Sequence, residues 1–317
     1  MDTTGTLFLP PANSTIAPEV DALFQFILVT SIIFFLIVVG GTAYFIYKYR
    51  KKGKDGFTAD ISENRTLEII WTVIPIILVF IIFFWGFKTY LKMHVPPAET
   101  IQIKATGQKW FWQFDYDNGA SSTNDLVVPV GKPVELLLSS QDVVHSFYVP
   151  NFRIKMDVLP NRYTVTWFEA PRQGEYDLFC AEFCGTSHSK MIGKVKVVSE
   201  REYNEWLEAS SNPGEGLSLE EYGAKLYQSK ACVTCHSIDG SPNIGPTLSG
   251  LIGRTEQFTD GSSLSADENY IRESILNPQA KVVKGYQPVM PTYQGILKDK
   301  EIDALVTYIK SLNKTGE

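Results

Sequence analysis

Residues 179–193 read FCAEFCGTSHSKMIG, and this stretch concentrates thiol, imidazole and thioether groups within the twelve positions from Cys180 to Met191. Cys180 and Cys184 are two of only four cysteines in the 317-residue chain, and His188 and Met191 follow them closely. These groups are soft to borderline ligands, and one cysteine with two histidines and a weakly bound methionine is the set found in blue-copper sites. The stretch therefore predicts a copper site.

A second histidine has to come from elsewhere, and His145 in QDVVHSFYVP is the unassigned histidine of the surrounding region. The extra cysteine allows two thiolates to bridge two copper ions, with one histidine on each ion. Met191 would complete one ion, and a backbone carbonyl between the cysteines, that of Glu182, would complete the other. Two alternatives stay open, a disulfide between Cys180 and Cys184 and a zinc site with two cysteines and two histidines. Neither alternative accounts for Met191.

The copper-binding stretch lies in a region, residues 99–198, that consists of short β-rich runs separated by turn residues. In RYTVTWF (162–168), Tyr163, Val165 and Trp167 alternate with Thr164, Thr166 and Phe168. Many short strands separated by such turn residues predict a β-sandwich or barrel of about 100 residues. We assign residues 93–200 to this domain.

Two apolar runs precede the β-rich region. Residues 23–47 contain no charged residue over 25 positions, and residues 69–87 contain none over 19. A bilayer-spanning helix needs roughly 20 such residues. Residues 23–92 therefore predict two transmembrane helices joined by a loop. A cleaved signal peptide fits the first run poorly, because no basic residue precedes it and it is too long.

The orientation of the predicted hairpin follows from its basic residues. The loop between the two runs contains KYRKKGKDG, whereas residues 1–22 contain neither lysine nor arginine. Cytoplasmic loops carry an excess of these residues, so the loop is expected in the cytoplasm and both ends of the chain outside. Residues 1–22 and everything after about residue 92 are then extracytoplasmic.

CVTCH at residues 232–236 has the C-x-x-C-H spacing of covalent heme c attachment. Cys232 and Cys235 would form thioethers to the porphyrin and place His236 beneath the iron. A thioredoxin-type redox motif and a disulfide are the alternatives, but the βαβ context of thioredoxin motifs is absent. Met290 is the only methionine of this region and is therefore the expected second axial ligand. A methionine–histidine pair raises the heme potential and suits electron transfer.

The heme motif lies in a third unit, residues 218–317, which follows a predicted linker at 201–217 that includes SSNPGEG. Its last helix is predicted in KDKEIDALVTYIKSL, where Ile302, Leu305, Ile309 and Leu312 recur at helical spacing. This unit resembles class I cytochromes c in the motifs GAKLYQSKACVTCHSIDG, IGPTLSGLIGR and MPTY. The resemblance implies an all-α domain in which Pro246 packs against His236.

The preceding part of the chain resembles subunit II of cytochrome c oxidase. The resemblance rests on CAEFCGTSHSKM with His145 upstream, on TGQKWFWQFDY at 106–116, and on two apolar runs before a sandwich. It implies a membrane-anchored multidomain protein with a two-helix hairpin and a cupredoxin-like Greek-key β-sandwich. It also implies that the sandwich holds the dinuclear copper centre CuA. The family has a His-Gln pair before its first tryptophan, where this chain has Gln108-Lys109.

The resemblance also suggests roles for three further residues. Trp110 would be the point at which electrons reach CuA, and the Glu182 side chain would bind Mg²⁺ at the boundary with the catalytic subunit. Glu68, at the start of the second apolar run, would lie at the entrance of a proton pathway into that subunit. Asp142 is interpreted as a structural hydrogen-bonding residue.

These interpretations together predict an electron-transfer subunit of a respiratory oxidase in the bacterial cytoplasmic membrane. Electrons would pass from heme c to CuA and then to oxidase subunit I, the heme–copper subunit that reduces oxygen with proton translocation. The upstream donor would be a cytochrome c or a quinol-oxidising complex. The CuA subunit of a nitric oxide reductase and a membrane-tethered copper or redox sensor are the alternatives. A net charge of −6 argues against nucleic acid as a partner.

Overall fold

The structure, a computed structural model, describes residues 5–50, 63–211 and 214–313. The chain divides into two units, Met1–Pro97 with Asn151–Arg153, and Ala98–Pro150 with Ile154–Glu317. Among the described residues, the first unit contains two long helices, and the second contains the strands and the shorter α-helices.

The two long helices are α1 (Ala17–Tyr49) and α2 (Arg65–His94). The side chain of Asn64 caps α2 by accepting a hydrogen bond from the Leu67 backbone N–H at 3.1 Å. Mean hydropathy reaches 2.8 in α1 and 2.7 in α2, and these apolar windows have no buried residues. At 1.5 Å per residue, 33 and 30 residues exceed the roughly 30 Å hydrocarbon core of a bilayer. Both helices are therefore long and apolar enough to span a membrane, as predicted.

The predicted cytoplasmic loop lies mostly outside the described residues. Arg50 is the last residue described before the gap at 51–62, which contains Lys51, Lys52 and Lys54. The orientation of the hairpin therefore remains a prediction from the sequence.

The β-rich region forms two facing five-stranded sheets. In chain order the strands are β1 (Ile101–Gln108), β2 (Phe111–Tyr116), β3 (Ser121–Thr123), β4 (Asp125–Pro129), β5 (Pro133–Ser140), β6 (His145–Val149), β7 (Ile154–Val158), β8 (Thr164–Glu169), β9 (Gly174–Cys180) and β10 (Ile192–Val198). The first sheet has the order β3-β2-β1-β5-β8 and the second has the order β4-β10-β9-β6-β7. Strand pairs β1–β5 and β4–β10 are parallel, and the other pairs are antiparallel. The predicted sandwich is confirmed.

The core of the sandwich lies between the inward faces of the two sheets. Strand β2 contributes Trp112 and Phe114, and β6 contributes Phe147, all of them fully buried. The Trp112 and Phe147 rings pack edge to face with centroids 5.6 Å apart. The alternating strand β8 turns Thr166 and Phe168 inward, so Tyr163 and Val165 lie on the outer face and are exposed.

A helix occupies much of the segment predicted as a linker. Helix α3 (Glu200–Ser211) directly follows β10. Its Trp206 side chain packs against Tyr116 of the sandwich, with ring centroids 4.8 Å apart. The first part of the 201–217 segment is therefore structured and attached to the β-domain.

The C-terminal region is helical, with α4 (Leu219–Ser229), α5 (Glu268–Leu276), α6 (Asp299–Ser311) and a short hairpin of β11 (Thr255–Gln257) and β12 (Ser263–Ser265). Ser218 and Glu221 form a capping box that starts α4. Gly223 lets α4 approach α6 closely, because an added Cβ would lie 2.0 Å from the Ala304 carbonyl oxygen. The predicted helical face of α6 is confirmed, with Ile302, Leu305 and Ile309 buried.

Candidate copper and heme sites

The predicted copper ligands converge at one end of the sandwich. Cys180 ends β9, His145 begins β6, and the connection between β9 and β10 carries Cys184, His188 and Met191. The Sγ atoms of Cys180 and Cys184 are 3.8 Å apart, and both thiols are free. A disulfide would require about 2.05 Å, so the two sulfurs are neighbours without being bonded.

The remaining ligand atoms surround the sulfur pair. His145 Nδ1 lies 3.8 Å from Cys180 Sγ, and His188 Nδ1 lies 3.4 Å from Cys184 Sγ. Met191 Sδ lies 3.8 Å from Cys184 Sγ, and the Glu182 carbonyl oxygen lies 3.2 Å from Cys180 Sγ. One imidazole therefore faces each thiol. The Met191 thioether lies near Cys184, and the Glu182 carbonyl lies near Cys180. This donor set fits two thiolate-bridged copper ions.

The imidazole of His145 is held from its far side by Asp142. Its Nε2 lies 2.8 Å from Asp142 Oδ1 and donates to the carboxylate, which leaves the Nδ1 lone pair facing the sulfurs. Asp142 also accepts from the backbone N–H groups of Lys109 at 2.8 Å and Val143 at 2.6 Å. Burial opposes ionisation of this carboxyl, but its hydrogen bonds outweigh burial and lower its pKa. Asp142 therefore has a structural hydrogen-bonding role here, and it orients the imidazole of His145, a predicted copper ligand.

Burial and mutual repulsion shape the ionisation of the cysteine pair. Burial opposes the Cys180 thiolate, but contacts with His145 and nearby backbone groups lower the pKa of this thiol below its usual range. Burial raises the pKa of Cys184, and the charge on Cys180 raises it further. Without metal the pair therefore favours one thiolate, and a cation is needed to ionise both.

Gly107 leaves the space that the His145 ring occupies. A Cβ at this position would lie 2.9 Å from His145 Cδ2 and 3.3 Å from Trp112 Cζ3. Such contacts force the ring to move, because both neighbours are packed in the core. This role could not be predicted from the sequence, because a glycine inside a strand pattern indicates close packing without identifying the partner.

We expect Gly107→Ala to displace the His145 imidazole and to weaken copper binding about 10- to 100-fold. Copper retention during dialysis against a chelator and the copper hyperfine pattern in electron paramagnetic resonance measure the change. Lys104→Ala, on the same strand but exposed, is the matched control. Unchanged retention and an unchanged hyperfine pattern in Gly107→Ala would contradict the assignment.

The side chain of Trp110 contacts both the loop between β9 and β10, which we call the copper loop, and a second site. Its indole Nε1 donates to the Cys184 carbonyl oxygen at 3.2 Å, and only 4% of the residue is exposed. Gly185 packs beneath the indole with φ of +119°, and an added Cβ would lie 3.2 Å from Trp110 Cζ2. Trp110 also lines the apolar cavity that contains the CVTCH motif.

That cavity brings together the predicted heme-binding residues Cys232, Cys235, His236 and Met290. Apolar side chains complete its wall, among them Leu248, Ile275, Leu297, Leu305 and Ile309. Burial raises the pKa of Cys232 to about 12 and also raises that of Cys235, so both thiols stay protonated. The cavity combines two free thiols with an apolar wall, as a covalently attached porphyrin requires.

The imidazole of His236, the predicted iron ligand, has Nε2 as its free donor atom. Its Nδ1 lies 2.8 Å from the Pro246 carbonyl oxygen, which can only accept, so Nδ1 carries the proton and Nε2 the lone pair. Burial lowers the pKa of His236 and favours this neutral form. Gly245 lies against the ring, where an added Cβ would come within 2.7 Å of Cε1. The predicted proximity of Pro246 to His236 is therefore present.

Three families match successive parts of the chain. Residues 2–89 match "Cytochrome C oxidase subunit II, transmembrane domain", and residues 119–198 match "Cytochrome C oxidase subunit II, periplasmic domain". Residues 220–313 match "Cytochrome c". The cytochrome c oxidase subunit 2 of Alkalihalophilus pseudofirmus is 34% identical over 293 residues, which cover 88% of this chain and 81% of the relative. This chain belongs to the cytochrome c oxidase subunit II family.

Other relatives of this oxidase subunit cover different shares of its length. Cytochrome c oxidase subunit 2 of Bacillus subtilis is 28% identical over 307 residues, covering 89% of this chain and 82% of the relative. The solved periplasmic domain of cytochrome oxidase subunit II from Bradyrhizobium japonicum is 32% identical and covers 38% of this chain and 99% of that one, with a TM-score of 0.37.

Family membership makes this chain a component of an oxidoreductase complex with a fused cytochrome c domain. The protein is membrane-anchored and has a periplasmic domain of the oxidase subunit II type. The cytochrome domain implies heme c, and the subunit II domain implies copper. In this oxidase subunit His145, Cys180 and Cys184 are buried side chains whose ligand atoms lie within 4.8 Å of one another.

The roles predicted for the side chains of Glu182 and Glu68 do not involve binding copper or heme. The Glu182 side chain is exposed, although its carbonyl faces Cys180. Glu68 is exposed in the first turn of α2, in the unit that contains the two long helices. The roles of both side chains remain predictions.

Proposed function

We propose that this chain carries electrons from its own heme c to a dinuclear CuA centre and onward to the heme–copper catalytic subunit. That subunit reduces oxygen to water and translocates protons. The observation that supports the internal route most directly is the position of Trp110. Its indole lines the heme cavity and donates a hydrogen bond to the Cys184 carbonyl oxygen.

Two groups of residues would hold two one-electron carriers, the copper pair and the heme. Cys180, Cys184, His145, His188 and Met191, with the Glu182 carbonyl, would hold the copper pair, and Cys232, Cys235, His236 and Met290 would hold the heme. When bound, these groups supply reversible one-electron redox chemistry, in which the copper pair spreads the change in charge over two nuclei. The protein buries His145, Cys180 and Cys184, and it fixes the orientation of the His145 and His236 imidazoles through Asp142 and the Pro246 carbonyl.

Two exposed carboxylates would serve the boundary with the catalytic subunit, oxidase subunit I. The Glu182 carboxylate extends from the copper loop, and a hard oxygen ligand suits Mg²⁺. Glu68 would stand at the entrance of a proton pathway at the cytoplasmic end of α2. The chain would lie in the bacterial cytoplasmic membrane, with its copper and cytochrome domains on the periplasmic side. Its donor would be a cytochrome c or a quinol-oxidising complex.

The proposed route predicts that Trp110→Phe slows internal electron transfer. Phenylalanine keeps an aromatic ring but removes the indole N–H, so the hydrogen bond to the Cys184 carbonyl is lost and the packing over Gly185 changes. We expect at least about a tenfold slower transfer, because small changes in the position of reacting groups have large effects on rate. The measurement injects one electron photochemically into the heme of the purified complex and follows both metal centres by absorbance.

Trp206→Phe is the matched control, because this tryptophan packs on Tyr116 and aromatic packing there is preserved. The control should transfer electrons at the wild-type rate. An unchanged rate in Trp110→Phe would exclude the indole route, and absence of transfer in the wild type would exclude the proposed function.

A further inference from the structure

Four outward-facing side chains of the first sheet are buried. In the pairing of β1 with β2, Thr106 lies opposite Gln113 and Gln108 lies opposite Phe111. The pair between them, Gly107 and Trp112, faces the core, so these four side chains face outward. Thr106 is 6% exposed, Gln113 is 7% exposed, and Gln108 and Phe111 are each 4% exposed. An outward face of a sandwich is normally solvated, so another part of the chain covers this end of the sheet.

At Gln108 and Phe111 the covering part is the cytochrome region. The Phe111 ring stacks on Tyr293, with centroids 6.2 Å apart and an interplanar angle of 4°. Next to it, Gln108 Nε2 donates to the Thr292 carbonyl oxygen at 3.3 Å. Phe111 is thereby part of the same hydrophobic core cluster as residues of α4, α5 and α6.

Tyr293 is itself fixed to the heme-binding segment. Its hydroxyl donates to the Lys230 carbonyl oxygen at 2.7 Å, two residues before Cys232. Tyr293 also follows Met290 by three residues, so the stacked pair adjoins both segments that carry heme ligands. Lys230 Nζ in turn lies 3.3 Å from Ser121 Oγ on β3 and adds a second point of attachment to the sheet.

We propose that this face is a permanent docking surface for the chain's own cytochrome domain, with Phe111 as its anchor. We call the contacts Phe111–Tyr293 and Gln108–Thr292 the Phe111 clamp. The cytochrome domain is then held against the copper domain and does not swing on the 212–217 connection between encounters. Its role in electron transfer rests on the proposed function, but the docking itself does not.

The decisive experiment cuts the chain between the two domains. A specific protease site is inserted between Gly216 and Leu217, both exposed, in the assembled holo-complex. After cleavage and dilution, size-exclusion chromatography measures how much covalent heme stays with the complex. We expect the cleaved wild type to retain its heme fragment. In Phe111→Ala the loss of heme should be at least about tenfold greater, because buried aromatic anchors dominate interfaces.

Tyr163→Ala is the matched control, since Tyr163 is an aromatic residue that is 61% exposed on the outer face of the same sandwich. It should retain heme like the wild type. The heme spectrum before cleavage shows whether the cytochrome domain of each variant is folded. Release of the heme fragment from the cleaved wild type would overturn the proposal, as would full retention in a folded Phe111→Ala. Neither result depends on electron transfer, so the test separates the clamp from the proposed function.

Discussion

Cys184→Ser is expected to empty the copper site while leaving the heme attached. Cys184 Sγ lies next to three other proposed copper ligands. It is 3.8 Å from Cys180 Sγ, 3.4 Å from His188 Nδ1 and 3.8 Å from Met191 Sδ. A serine hydroxyl is a harder ligand that stays protonated near neutral pH, so it cannot bridge two coppers as a thiolate can. The copper content of this chain in the purified complex, measured by metal analysis, should fall from the expected two ions per chain toward none.

The heme of the same sample is an internal reference, because Cys232 and Cys235 are unaffected. Ser189→Ala, an exposed substitution in the same loop, should keep both coppers. A Cys184→Ser protein that retains a spin-delocalised copper pair would refute the bridging role. Stoichiometric zinc in the wild type would favour the alternative of a closed zinc site.

Met290→Ala is expected to open the sixth coordination position of the heme. The residue lines the heme cavity together with His236, and its backbone carbonyl is held by Gln279 Nε2 at 3.3 Å. Loss of the thioether should let carbon monoxide bind the reduced heme, and it should lower the midpoint potential by roughly 0.1 V or more. Optical spectroscopy with carbon monoxide and a redox titration measure the two effects.

Met156→Leu on β7 is the control for loss of a methionine, and it should leave the heme spectrum unchanged. The covalent attachment through Cys232 and Cys235 should survive in both variants. If Met290→Ala neither binds carbon monoxide nor changes in potential, another side chain is the axial ligand.

A candidate set of ligands could be derived from the sequence because the chain uses cysteine and histidine sparingly, with four residues of each. Once CVTCH takes one histidine, His145 and His188 are the two histidines left within the β-rich residues 99–198, which is why both are assigned to the predicted copper site. The fold class was predictable for a similar reason, since charge-free runs and short alternating strands each have few structural explanations.

The supporting residues could not be predicted, because their roles depend on contacts between distant segments. Gly107 is important through the His145 ring, 38 positions away, and Phe111 through Tyr293, 182 positions away. Alternation in β8 identified two faces but did not show that Tyr163 and Val165 point outward. The turn-rich composition near residue 213 predicted a linker without showing that α3 fills much of it.

The Phe111 clamp is made by ring stacking and by a hydrogen bond from a neutral amide, and this has a consequence for salt tolerance. Ionic strength weakens attraction between exposed charges, with a Debye length of about 8 Å at 0.15 M, but it barely affects contacts of this kind. In the proposed route, electron transfer from heme c to copper within the chain should therefore depend little on the salinity of the surrounding medium. Sensitivity to dissolved ions is left to the encounter with an external donor.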